Sequence, residues 1–422
     1  MKKATCAIDF GTSNSLMSLV TNDGSEVLSL DPNSIDPTLM KTVFYSPSSE
    51  KWFLGAEAYH QYIEHDGEGR LIRSIKKFLP DPGFNGTKIA GRMYKVEELV
   101  AIFLREMKNR AETQSQYSIE SVVLGRPALF SMDKKEDMLA QTRLEAAAKL
   151  AGFKDVSFCP EPVAAAHGFQ GQLESEKLVL IGDFGGGTSD FTILKMGPQE
   201  FSESDVLAVH GIFLAGNAYD GKIMEHFISK HFGSDVRYKL PMGKNELFFP
   251  RTLLKKLCDP AHIQFLADKD IRHFLEEVQR WSTNEDYHHK MDHLFILIDE
   301  LLGHEIFSLI ERTKISLSSE EASTFLFKHS DFIIEEILNK SNFVEKSESL
   351  TEQIERTLLE TFKLAGISPN QIGLVCLTGG TAKLPAIKDM LSKNLGASKI
   401  QDYRHFHSVI EGLAIKSKQI YL

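Results

Sequence analysis

Cysteine is scarce in this chain of 422 residues: Cys6, Cys159, Cys258 and Cys376 stand far apart, without a Cys-x-x-Cys pair and mostly beside apolar neighbours. This excludes a disulfide framework and suggests reduced core residues of a cytoplasmic protein. No dense Lys/Arg run occurs, and 48 basic residues face 58 acidic ones for a net charge of −10. Nucleic acid is therefore not an expected partner, because duplex binding rests on basic patches that neutralise phosphates. Trp52 and Trp281 are isolated, and no aromatic row alternates with basic residues to stack single strands. The longest uncharged stretch, Leu364 to Ala382, is interrupted by Ser368, Pro369, Asn370, Gln371 and glycines, whereas a membrane span needs about 20 mostly apolar residues. Asp9 interrupts the N-terminal apolar run too early for a signal peptide, so neither export nor membrane insertion is expected.

What is present is globular. Apolar residues at 42% and charged residues at 25% rule out a disordered or low-complexity chain, and the length suits about two to three folded units at roughly 150 residues each. The acidity itself reads as a solubility feature.

The informative feature is an internal echo. Ala7-Ile8-Asp9-Phe10-Gly11-Thr12-Ser13-Asn14 is followed by the apolar Leu16, Met17, Leu19 and Val20, and Leu180-Ile181-Gly182-Asp183-Phe184-Gly185-Gly186-Gly187-Thr188-Ser189-Asp190 by Phe191, Ile193 and Leu194. A Walker loop or a dinucleotide fingerprint leads from its glycines into a helix; both of these lead back into extended apolar sequence, so each is expected to be a strand–loop–strand hairpin. Glycines let backbone N–H groups approach phosphate oxygens, and successive N–H groups in a turn form an anion-binding concavity. Thr12, Ser13, Thr188 and Ser189 add hydroxyl donors. An Asp in such a loop would repel phosphate unless a hard cation sat between them, so Asp9 and Asp183 imply Mg²⁺ held through its retained waters.

These residues carry a resemblance. Asp-x-Gly-Thr near the start and Asp-x-Gly-Gly-Gly-Thr in the middle are similar to the two phosphate loops of the actin-like ATPase superfamily, which includes actin, its bacterial homologues, sugar kinases and the seventy-kilodalton heat-shock chaperones such as DnaK. Pro160-Glu161-Pro162-Val163-Ala164-Ala165-Ala166 resembles a segment of DnaK-like and MreB-like proteins. Glu311-Arg312-Thr313-Lys314-Ile315-Ser316-Leu317-Ser318 looks like the DnaK family's adenosine-contacting helix end, and Leu377-Thr378-Gly379-Gly380-Thr381-Ala382-Lys383-Leu384-Pro385 resembles its adenosine loop. The match covers nearly the whole chain in order, except for about Ser234 to Asp292. The chain ends ten residues after Gly412, where the DnaK nucleotide-binding domain ends. The resemblance is thus to a stand-alone nucleotide-binding domain without a substrate-binding domain, as in the bacterial YegD-like group.

The resemblance implies an α/β fold of two ribonuclease-H-like lobes. Lobe I is expected over 1–173 with an insert at about 35–115, and lobe II over 174–422 with an insert at about 219–331, atypical at 234–292. Local patterns agree: Glu352 to Leu364 reads as a helix with Ile354, Leu358, Leu359 and Phe362 on one face and Gly366 as its stop, and Lys134 to Ala151 reads likewise with Gly152 closing it. A helical stretch from Asp270 to Trp281 carries Ile271, Phe274, Leu275 and Val278.

For the site, the resemblance implies ATP or ADP with Mg²⁺. Asp9, Asp183 and Glu161 would form an acidic ring around hydrated Mg²⁺, with Asp9 and Asp183 facing the metal through water and Asp190 closing the ring. Gly11, Thr12, Ser13, Asn14, Gly185, Gly186, Gly187 and Thr188 would hold the phosphates. Lys76, with Lys77 as the alternative, would reach the γ-phosphate and the attacking water; Glu161, Asp183, Thr188 and Asp190 complete the catalytic set. Glu311, Lys314, Ser318, Gly379, Gly380, Thr381 and Lys383 would take the nucleoside. Two departures fall here: the family's adenine-stacking arginine is Ile315, and the arginine of its adenosine loop is Lys383. A guanidinium over a base is worth about 1 kcal/mol, so weaker ATP binding or altered base choice is expected. The family's switch proline matches Pro127, but its arginine partner falls on Lys135, which lacks the planar fork. His288, His289 and His293 include an i, i+4 pair without a third ligand at suitable spacing, and no zinc site is expected there.

Four activities follow for comparison: a cytoplasmic, monomeric DnaK-like weak ATPase acting as a chaperone-related switch, with a client or partner on the 219–331 insert; a nucleotide-dependent scaffold like bacterial actin; a small-molecule kinase; and a non-hydrolysing ATP sensor. The scaffold lacks the amphipathic N-terminal helix of MreB-like proteins, and no kinase-type general base is evident.

Overall fold

The computed structural model describes residues 1–422 apart from 1, 35, 49–50, 66, 170–172, 199–202, 242, 244 and 403–406. Ile35, the expected start of the first insert, lies outside the described residues. The fold is mixed α/β. The chain forms two compact units, one of residues 1–215, 354–382 and 389–422, the other of 216–353 and 383–388.

The first unit holds the same five-stranded sheet twice. Strands β1 (Lys2–Phe10), β2 (Asn14–Thr21), β3 (Gly24–Val27), β4 (Tyr117–Arg126) and β5 (Asp155–Pro160) lie in the order β5-β4-β1-β2-β3, with Met40–Lys41 paired to β2. Strands β6 (Lys177–Phe184), β7 (Ser189–Met196), β8 (Val206–Ile212), β9 (Leu374–Thr378) and β10 (Ile400–Asp402) repeat it as β10-β9-β6-β7-β8. In each sheet the first strand of the repeat is antiparallel to the second and parallel to the fourth. The two glycine loops are therefore hairpins, as the extended flanks predicted.

Strand alternation orients both hairpins. Phe10 and Phe184, each the last residue of its strand, are fully buried, while the preceding Asp9 and Asp183 are half-buried. Phe10 packs on Phe103 of helix α1 (Val96–Ser115), in a core shared with Leu144 and Ala147 of helix α2 (Lys134–Leu150). Asp133 caps α2 by accepting from the N–H groups of Lys135 and Glu136. A second core joins the two sheets: Ala7, Val123, Val179, Ile181 and Cys376 pack with helix α3 (Glu161–Phe169) and the C-terminal helix Ser408–Tyr421. Three cysteines are buried and Cys258 is half-buried; all four are free.

The second unit contains helices α4 (Lys269–Arg280), α5 (Glu285–Asp299) and α6 (Gly303–Ser316) and the hairpin 322–339. The atypical segment 234–292 contributes core residues, with Leu275 and Val278 of α4 and Met291 of α5 buried, and Leu294, Leu297 and Ile298 continue the buried face of α5 beyond it. His293 stacks on Phe332 with centroids 4.0 Å apart, so its ring is spent on packing.

Helix α7 runs from Lys340 to Ala365, starting twelve residues before the expected Glu352. Its extra turns bury Ser347 beside Phe343 and Leu350, and Thr357 and Thr361 follow on the buried side. Two of these hydroxyls donate to carbonyls four residues back, Ser347 to Phe343 at 2.7 Å and Thr361 to Thr357 at 2.8 Å. A buried polar stripe satisfied by its own helix hides the apolar period.

Helix α8 (Ser408–Tyr421) crosses α3 in direct backbone contact, because a Cβ on Gly412 would overlap the carbonyl of Ala164. Gly412→Ala is expected to destabilise the protein by about 3 kcal/mol, the upper range for overpacking; the urea midpoint measures it.

Candidate functional site

The site lies where the repeat brings like strand ends together in the first unit. The two loops approach closely: a Cβ on Gly187 would stand 3.0 Å from the Thr12 hydroxyl oxygen. The second loop is closed by the Gly185 N–H donating to the Thr188 carbonyl at 3.0 Å, and Thr381 donates to the Gly185 carbonyl at 2.8 Å. Gly379, at φ +80°, admits no side chain, because a Cβ would strike the Phe184 carbonyl. Gly11 is similarly confined, facing the carbonyl of Asn14.

Four carboxylates gather around one lysine. Glu161 opens α3 directly after β5, and its Oε1 accepts from Lys76 Nζ at 2.8 Å with both side chains about nine-tenths buried. Lys76 rides on a single turn, Ile75–Phe78, entered through Ser74 in the left-handed conformation at φ 54°. That conformation costs a non-glycine residue about 1 kcal/mol, so the turn is held by its surroundings. Lys77 is half-buried beside it. Asp183 and Asp190 are cross-strand partners on β6 and β7. Thr378 Oγ1 donates to Asp183 Oδ1 at 2.8 Å, and Asp190 is buried with Oδ2 unpartnered among the described residues.

The electrostatics follow from that crowding. Burial, then the Glu161 charge, pushes Asp9 up to about 8 against the pull of Lys76. Burial and Glu161 raise Asp183 to about 6, opposed by the Thr378 hydrogen bond and Lys76. Burial, Asp183 and Glu161 hold Asp190 well above its usual range. Lys76 resists its own burial, because Glu161 and Asp9 keep its ammonium above the ordinary lysine value. The ring is short of positive charge. An all-oxygen donor set with one buried, unpartnered carboxylate oxygen suits a hard cation such as Mg²⁺, and the adjoining loop amides suit phosphate.

The residues expected to take the nucleoside are found in both units. Gly379, Gly380 and Thr381 belong to the first; Glu311, Lys314, Ser318 and Lys383 belong to the second. Lys314 is buried, with Nζ 2.8 Å from Asp220 Oδ1 and 3.3 Å from the Gly216 carbonyl. Ser318 donates back to the Lys314 carbonyl at 3.3 Å. Ile315, where the resemblance expects the family's stacking arginine, is 60% exposed. Two side chains that bond expected site residues escaped sequence reading: Thr378, whose Thr-Gly-Gly motif draws the eye to its glycines, and Asp220, which no motif marks.

With this geometry in place, comparison with known families is decisive. The model of the family described as "Hsp70 protein" matches residues 49–291 and 273–418. The chain belongs to the Hsp70 family. It is accordingly an ATP-binding, chaperone-related protein of the actin-like ATPase fold. The Hsp70 match runs through 234–292, the stretch with no recognisable counterpart in the motifs, and its two parts overlap there at 273–291. It begins at residue 49, so the first loop rests on the sheet repeat. No helix among the described residues is long and apolar enough to cross a membrane.

Raised carboxylate values give a direction for pH. A carboxyl whose folded value lies above its usual 3.8 adds stability that is full below that value and is lost as pH rises through the folded values of about 6 and about 8. Without divalent cation, the urea midpoint is expected to fall between pH 5 and pH 8, and Asp190→Asn should flatten that fall; an unchanged slope would contradict the crowding.

Proposed function

We propose that this Hsp70-family chain is a weak Mg²⁺-dependent ATPase whose slow hydrolysis drives closure of two lobes, 1–173 and 174–422, as a chaperone-related switch resembling the YegD-like group. The observation that carries the reading is the Lys76 ammonium, buried at 2.8 Å from Glu161 inside a ring of three further carboxylates. Phosphoryl transfer to water asks a protein for positioning and charge compensation rather than covalent chemistry, and that arrangement supplies both.

In this reading the loop amides of Gly11 to Asn14 and Gly185 to Thr188 hold the β- and γ-phosphates, assisted by the Thr12 and Thr188 hydroxyls. Asp9 and Asp183 hold Mg²⁺ through water, and the bound ion supplies neutralisation of phosphate charge. Lys76 stabilises charge on the γ-phosphate; Glu161 fixes Lys76, and Asp190 closes the ring and orients either Lys76 or the attacking water. Glu311, Lys314, Ser318, Gly379, Gly380, Thr381 and Lys383 take the nucleoside, with Ile315 and Lys383 weakening adenine recognition. The protein acts as a cytoplasmic monomer, and a client or partner is placed on the 219–331 insert.

Single-turnover conversion of Mg-ATP to ADP, with protein in excess, tests the assignment. Lys76→Ala is expected to slow conversion by about a hundredfold, and omission of Mg²⁺ to abolish it. Tight ATP binding without conversion in the unaltered protein would favour the sensor reading instead.

A further inference from the structure

The turn bearing Lys76 has little regular structure of its own, yet Lys76 must keep its ammonium within hydrogen-bonding reach of Glu161. It is entered through the left-handed Ser74, and Ile75 and Leu79 anchor it in the core, with Phe78 packed against that core. Its exit is held from elsewhere. Arg143, in the third turn of α2, donates through Nη1 to three main-chain carbonyls, those of Phe78 at 3.1 Å, Leu79 at 3.0 Å and Asp81 at 2.8 Å. Its Nη2 reaches Asn85 Oδ1 at 3.3 Å. A planar guanidinium can serve several acceptors at fixed angles, which an ammonium cannot.

The same helix reaches the other half of the pair. Asp137, six residues earlier on α2, takes Arg126 Nη2 on both carboxylate oxygens at 2.8 and 2.9 Å and also accepts from the Phe130 N–H at 2.6 Å. Arg126 ends β4 in register with Pro160 on β5, and Pro160 immediately precedes Glu161. Lys76 and Glu161 are thus fixed to one rigid element, α2, through Arg143 on one side and Asp137 on the other. The family motifs mark neither residue.

We propose that Arg143 is a positioning residue for the hydrolytic step, holding the 75–81 segment so that Lys76 meets Glu161 and the γ-phosphate. The inference rests on the role proposed for Lys76. Displacing a catalytic group by about 1 Å costs up to a hundredfold in rate without altering what the rest of the site binds.

The test compares Lys76→Ala, Arg143→Lys, Arg143→Ala and the double variant Lys76→Ala/Arg143→Ala in Mg-ATP single turnovers, with ATP affinity measured alongside. Arg143→Lys keeps the charge and loses the fork; it is expected to slow conversion about tenfold with ATP affinity within about twofold. The double variant should convert no more slowly than Lys76→Ala alone, because both changes remove the same contribution. Hydrogen exchange of the 75–85 amides should quicken in Arg143→Lys while exchange in β1 and β6 stays as it was. An Arg143→Lys protein that converts at the unaltered rate would overturn the proposal, as would rate losses that multiply in the double variant, since Arg143 would then act apart from Lys76. A Lys76→Ala protein at full rate would instead remove the role of Lys76, and this inference with it.

Discussion

The first unit is organised around an electrostatic debt: one buried ammonium set among four carboxylates. Charges of one sign brought together away from water raise each other's energy, and a folded chain tolerates this only when its frame is rigid enough to prevent their separation. The frame is over-determined. Asp183 and Asp190 are fixed by strand register, Asp9 by the alternation that sends Phe10 into the core, and Glu161 by a helix that starts where β5 stops. Stability is sacrificed where these carboxylates crowd together, the general pattern by which functional sites run against the rest of a fold.

The sheet repeat explains why such a loop occurs twice. A strand ending in Asp-Phe puts the two side chains on opposite faces, and in both copies the ring enters the core while the acid stays half-buried. Two copies give two glycine turns, and Gly187 against Thr12 shows how little room remains between them. The glycines at 11, 187 and 379 are spaces as much as flexible joints: each stands where a side chain would meet another part of the site.

What was legible in the sequence was whatever a short motif or a clean period could express. Asp-Phe-Gly followed by extended apolar residues announced both hairpins, and Gly152 announced the end of α2. The early turns of α7 were illegible because Ser347 occupies a core position, its hydroxyl satisfied four residues back, so burial left no apolar mark. The Thr378–Asp183 bond joins residues 195 positions apart and depends on the parallel pairing of β6 with β9. Arg143 sits on the half-buried side of an amphipathic helix, and only the folded chain brings the carbonyls of 78, 79 and 81 beneath it.

The Gly412 notch has a mechanical meaning. Where two helices touch through side chains, each can slip along the other by rearranging rotamers; where backbone meets backbone, no such slack exists. The α3–α8 crossing therefore works as a pin: the helices can turn about that point, but they cannot slide through it. Because α3 begins with Glu161 and both helices pack into the core that joins the two sheets, a small rotation at the pin is delivered directly to the carboxylate that holds Lys76.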